Sequence, residues 1–110
     1  MTADENGANR ARKAGVRRER FSLRLFITGQ TLRSARCLRS VRIICEEHLG
    51  NAADLEVVDI YQQPALAREA QILAAPTLVK ERPLPVRRLI GELTDLPRVL
   101  GILGIAEEKQ

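Results

Sequence analysis

Aromatic residues are nearly missing from this chain, which has no tryptophan, one tyrosine (Tyr61) and two phenylalanines (Phe21, Phe26) in 110 residues. Single-stranded nucleic acid is commonly held by base stacking on aromatic side chains, so that partner class is not expected. No run approaches the ~18 consecutive apolar residues of a membrane span. The basic residues near the N-terminus are not followed by the apolar stretch of a secretory signal, so no membrane partner is expected. Cysteine is also scarce. Cys37 and Cys45, in a chain read as lacking an export signal, point to a reducing compartment, and the cytoplasm is the expected location. The single histidine, His48, has no second histidine or spaced cysteine pair to join it in a metal site. It reads as a partly buried helix-end residue, and no metal or cofactor is expected.

Positive charge is in excess by four, but unevenly. Residues 1–20 hold Arg10, Arg12, Lys13, Arg17, Arg18 and Arg20 against Asp4, Glu5 and Glu19. The other ninety residues carry twelve basic and eleven acidic groups and are nearly neutral. The basicity therefore belongs to residues 1–20, which show no periodic apolar pattern and read as a disordered, solvated leader. Residues 106–110 read as a short tail. The ~85 residues between them suffice for one domain, with a core built from Leu, Ile, Val and Ala.

Order begins at Phe21. Phe21–Ile27 is apolar-dominated and reads as a strand. Thr28-Gly29-Gln30-Thr31 supplies a glycine and capping chemistry, and a helix is expected from about Leu32 to Leu49, stopped by Gly50-Asn51. On a wheel at ~100° per residue, Ile44, Cys37, His48, Val41, Cys45, Leu38 and Leu49 share one arc. Arg36, Arg39, Arg42, Glu46 and Glu47 take the opposite arc, with Leu32 and Ile43 as candidate contact residues among them. Leu55–Ile60 reads as a second strand, expected to be central because its apolar positions do not strictly alternate. A helix opens at Pro64 and is expected to reach about Leu73. Ala75–Lys80 reads as a third strand entered through Pro76, Pro83-Leu84-Pro85 as a stiff break, and Val86–Ile90 as a fourth strand ended by Gly91. Thr94 is a candidate cap for a last helix with Leu96, Val99, Leu100 and Leu103 at helical spacing. The order β-α-β-α-β-β-α implies a parallel first pair, an antiparallel closing pair and a thioredoxin-like α/β fold.

The chemistry usual on that fold is absent from the sequence. A redox enzyme needs a low-pKa cysteine where the first helix starts, and Thr28–Ser34 contains none. Cys37 and Cys45 are eight residues apart on one helix, a rise of ~12 Å, beyond the ~7 Å reach of a disulfide. Gly29 with Arg33 and Arg36 nearby is a weak anion-binding signal, without a Walker or dinucleotide pattern. Asp59 has no evident catalytic partner and reads as structural or interfacial. The chain is expected not to be an enzyme.

Several stretches carry a family resemblance. They are Leu23-Arg24-Leu25-Phe26-Ile27-Thr28-Gly29-Gln30-Thr31, Val57-Val58-Asp59-Ile60, Pro64-Ala65-Leu66-Ala67 and Ile72-Leu73-Ala74-Ala75-Pro76-Thr77-Leu78. The last is Pro85-Val86-Arg87-Arg88-Leu89-Ile90-Gly91-Glu92-Leu93. Over residues 21–105 the chain resembles the KaiB proteins of bacterial clock systems. The resemblance implies a regulator that docks on a KaiC-type ATPase and modulates its phosphorylation cycle. It also points to Arg24, Arg36, Arg87 and Arg88 as partner-binding residues, each with a plain alternative as a solvated arginine. An adaptor binding a histidine kinase or stress-signalling partner is the other reading. Some KaiB proteins also interconvert with a tetrameric ground-state fold, so a homo-oligomer, dimer or tetramer, is a further expectation. Pro76, Pro83, Pro85 and Gly91 lie in the half that rearranges, and X–Pro bonds isomerise over tens of seconds. A single set of amide peaks in two-dimensional NMR, at all temperatures and concentrations tried, would count heavily against a second fold. Glu56 and Gln62 depart from lysines common in the family, and Pro83-Leu84-Pro85 from its triple proline.

Overall fold

A computed structural model describes residues 20–91 and 93–105. The leader expected over residues 1–20, Arg20 apart, and the tail expected over 106–110 lie outside the described residues. The elements run β1 (Phe21–Ile27), α1 (Leu32–Glu47), β2 (Ala53–Asp59), α2 (Pro64–Glu69), β3 (Thr77–Arg82), β4 (Arg87–Ile90) and α3 (Leu96–Leu103). The four strands form one sheet in the order β2-β1-β3-β4. β1 pairs parallel with β2 and antiparallel with β3, and β4 closes antiparallel on β3. This is the expected α/β arrangement.

Alternation along β1 divides the core in two. Phe21, Leu23 and Leu25 face α1 and α3, where they pack with Cys37, Val41, Ile44, Leu78, Leu89, Val99, Leu100 and Leu103. Phe26 points to the opposite face and packs with Val58, Val79 and Ala67 of α2. The wheel reading of α1 holds for Cys37, Val41 and Ile44, which are buried, while Leu32 and Ile43 are exposed. Thr31 caps this helix, its hydroxyl accepting from the Ser34 N–H at 3.1 Å.

Two helix ends, one helix cap and the place of one strand differ from expectation; α3 is capped not by Thr94 but by Asp95, whose carboxylate accepts from the Arg98 N–H at 3.3 Å. α1 ends at Glu47 because Gly50 and Asn51 turn the chain at φ 55° and 70°. α2 ends at Glu69 because Gln71 takes φ 56°, which returns Ile72 to the smaller core, its N–H on Ala67 O at 2.9 Å. The expectation of a central β2 is corrected: β2 is an edge strand. Its dense apolar end, Val57-Val58 with Ile60 just beyond, is the part that α2 also covers, so both faces are apolar there. Toward the other end Asp54 and Glu56 face solvent.

Candidate partner-binding surface

The strand register brings two of the four singled-out arginines into one row. Glu56 opposes Arg24, Arg24 opposes Val79, and Val79 opposes Arg88, so all four strands contribute one residue on the α2 side of the sheet. Arg24 is engaged twice. Its Nε donates to Glu56 Oε1 at 3.0 Å, and Nη1 lies 3.5 Å from Glu81 Oε2. Glu81, two residues beyond Arg24's partner Val79, falls on the same face by strand alternation, next to the slip in β1–β3 register between Ser22 and Leu23. Glu56, a departure from the family's lysine, thus has an internal role.

Arg88 is engaged as well. Its guanidinium donates to the main-chain carbonyls of Ala70 and, at 3.1 Å, Gln71, just past α2. A cation at helix-terminal carbonyls is favourable on both hydrogen-bonding and dipole grounds. Arg88 therefore ties α2 to β4.

Arg87 and Arg36 are differently placed. Arg87 points to the α3 side, lining a shallow groove with Val86, Arg88, Gly101 and Ile102. Its guanidinium has no hydrogen-bond or ion-pair partner among the described residues. Arg36 is exposed on α1 and lines a separate depression with Arg39, Ser40, Leu93 and Thr94. The four arginines thus do not form one patch, and only Arg87 and Arg36 present uncommitted guanidinium groups. The peptide bonds preceding Pro76, Pro83 and Pro85 are cis, and Gly91, at φ 94°, donates its N–H to Pro76 O at 2.8 Å.

Of the amides just before and at the start of α1, those of Thr28, Gly29 and Ser34 are already bonded. Thr28 N–H donates to Ser34 Oγ at 3.3 Å, and Gly29 N–H to Asp59 Oδ1 at 3.2 Å. Asp59 also accepts from the Tyr61 N–H at 2.9 Å, so it clamps the turns after β1 and β2 together. Gly29 itself needs φ 57°, and a Cβ there would lie 3.6 Å from the Tyr61 ring.

A model of the KaiB domain matches residues 24–105. The chain belongs to the KaiB family. Circadian clock protein KaiB3 of a Synechocystis species is 39% identical over 89 residues, covering 81% of this chain and 87% of the relative. The circadian clock oscillator protein KaiB of a Synechococcus species is 46% identical over 92 residues, 84% of each. Among solved structures, chloroplastic thioredoxin z superposes with a TM-score of 0.64 at 20% identity, covering 89% of this chain and 86% of that one. The N-terminal domain of Synechococcus elongatus SasA gives 0.62 at 23%, covering 86% and 93%. These two similarities establish the thioredoxin-like fold.

In this KaiB-family chain both thiols are free, Cys37 buried and Cys45 half-buried. Cys37 Sγ lies 3.9 Å from Gly91 O, joining α1 to the end of β4. Burial, and secondarily the neighbouring Glu46 charge, push the Cys45 thiol above its usual range. Less thiolate means slower chemistry. Iodoacetamide at neutral pH should alkylate both cysteines more slowly than it does a free thiol, with denaturant restoring the rate. Mass spectrometry over time checks this, and rapid native alkylation of Cys45 would contradict it. At the far end of β2, Asp54 is held below the usual carboxylate range by the Arg20 guanidinium, 2.9 Å away. No described helix is long and apolar enough to cross a membrane.

Proposed function

We propose that this chain is a non-enzymatic clock-type regulator that binds a KaiC-type ATPase in the cytoplasm and modulates its phosphorylation and ATPase cycle. Residues 21–105 are the binding unit. The observation that carries the reading is the KaiB-domain match across residues 24–105, a span that contains all four arginines. Relatives of similar length are circadian clock proteins by name. The sequence adds that no cysteine stands at the start of α1, where thiol chemistry on this fold needs one.

Of the four arginines, Arg87 is the cleanest probe, because Arg24 and Arg88 also hold the fold together. Purified protein incubated with a KaiC homologue from the same cell, with ATP, should elute as a complex in size-exclusion chromatography. Arg87→Glu should weaken or abolish that complex while leaving the circular dichroism spectrum unchanged. Incubation should be long, since interconversion with a second fold through the Pro76–Gly91 segment would slow binding. No complex after a day, with folded protein, would overturn the reading in favour of a signalling partner such as a histidine kinase.

A further inference from the structure

The outer edge of β4 carries main-chain groups, an uncommitted arginine and exposed aliphatic side chains that nothing in the described chain covers. Within the sheet β4 pairs with β3 alone. The bond from Gly91 N–H to Pro76 O continues that ladder one step past the Thr77–Ile90 pair. In an antiparallel ladder, hydrogen-bonded pairs alternate with pairs whose N–H and C=O groups point away. Counting back from Gly91, Leu89 and Arg87 direct their main-chain groups to β3, and Ile90 and Arg88 direct theirs outward. The two faces of the edge differ. Arg87 stands on the α3 side, beside Gly101, where an added Cβ would meet nothing within 4 Å. Ile90, 67% exposed, stands on the α2 side, and Val86 just before the strand is exposed as well.

We propose that this edge accepts an extended acidic segment of a different protein as a fifth strand, with Arg87 pairing a carboxylate in it. The inference rests on the reading of the chain as a binding module and names how the partner is held. Main-chain bonds to Arg88 and Ile90 supply the attachment, and alternate side chains supply selectivity. Because strand side chains alternate between faces, the fitting segment alternates too. Acidic residues meet Arg87 on one side, where Val86 lines the same groove, and an aliphatic residue meets Ile90 on the other.

Charge selects the occupant. Residues 83–91 contain Arg87 and Arg88 and no acidic residue. A second copy offering its own β4 would set these arginines against each other. A second copy offering β2 would bring Asp54, Glu56 and Asp59, but these carboxylates are already bonded. Arg20 holds Asp54 at 2.9 and 3.0 Å, Arg24 holds Glu56, and Asp59 accepts two main-chain N–H groups. Neither edge strand of a second copy thus offers Arg87 a free carboxylate, and the fitting strand is a segment of another protein.

The test is titration of the full-length protein with a short synthetic peptide of alternating valine and glutamate, followed by two-dimensional amide NMR. Shifts should centre on the Arg88 and Ile90 amides. Ile90→Pro deletes an outward N–H outside the β3 ladder, which edge strands tolerate, so it should remove binding with the spectrum of the rest intact. Arg87→Gln should weaken binding about two- to fivefold, the worth of an exposed ion pair, and a valine–lysine peptide should not bind. Shifts centred on β2, equal binding of both peptides, or no shift at millimolar peptide would each overturn the proposal. So would self-association through β4, read as concentration-dependent sedimentation that Ile90→Pro abolishes. The same variant separates this proposal from the function above: an ATPase complex that survives Ile90→Pro leaves the function standing and removes the edge as its contact.

Discussion

Phe26→Ala should lower the stability of the folded unit by about 3–5 kcal/mol, read from urea denaturation followed by circular dichroism. The ring is fully buried and is the largest side chain in the smaller core, which it shares with Val58, Val79 and Ala67. A unit of this length holds only about 4–13 kcal/mol in all, so the variant sits near the edge of folding. The loss has a location as well as a size. α2 is six residues long and buries only Ala67, so it cannot persist by its own helical propensity. Amide exchange at Ala70 and Ile72, whose N–H groups bond to Leu66 and Ala67, should accelerate ahead of exchange in β1. A loss below about 1 kcal/mol would mean that α2 closes over the cavity, contrary to this account.

Lys80→Glu should cost about as much, for an electrostatic reason. Lys80 is the one buried cation among the described residues, at 3% exposure. It lies within β3 on the α3 side, with its ammonium 6.0 Å from the centre of the Phe21 ring and 3.9 Å from where a Cβ of Gly104 would stand. Gly104 is the left-handed C-cap of α3, so the ammonium sits at the negative end of that helix. A carboxylate there would be buried, unable to accept from the helix carbonyls and repelled by the dipole, which together cost about 3 kcal/mol or more. Lys80→Met keeps the buried stem and loses only the charge, so its cost should be smaller, about 1 kcal/mol. Chemical denaturation of the two variants side by side checks the sign: equal losses would show that packing, not charge, governs the site.

The two effects are not equally legible in the sequence. Phe26 belongs to an apolar strand whose burial follows from composition alone. Lys80 ends a strand-like run, and nothing in its neighbours distinguishes a buried lysine from one in solvent. Its burial depends on α3 returning over that end of the sheet. Glu81 and Ser34 were missed for the same kind of reason. The first meets Arg24 only across the β1–β3 pairing, and the second is buried by the turn it helps to close. The arginines divide along this line as well. Residue type and family resemblance marked all four, yet Arg24 and Arg88 acquire internal partners only when the sheet aligns them with Glu56 and the end of α2.

The order of elements, the cap at Thr31, the apolar face of α1 and the missing nucleophile were all legible in the chain, because each depends on residues within a few positions of one another. β2 shows the limit of such reading. Its Val57-Val58 run looks the same whether a strand lies in the middle of a sheet or at its edge under a short helix. Strand order, the half-covered face and the commitment of each arginine depend on contacts between distant segments. Only the tertiary structure decided those, since side-chain pairing across strands is set by register and the packing of helices, which local sequence does not specify.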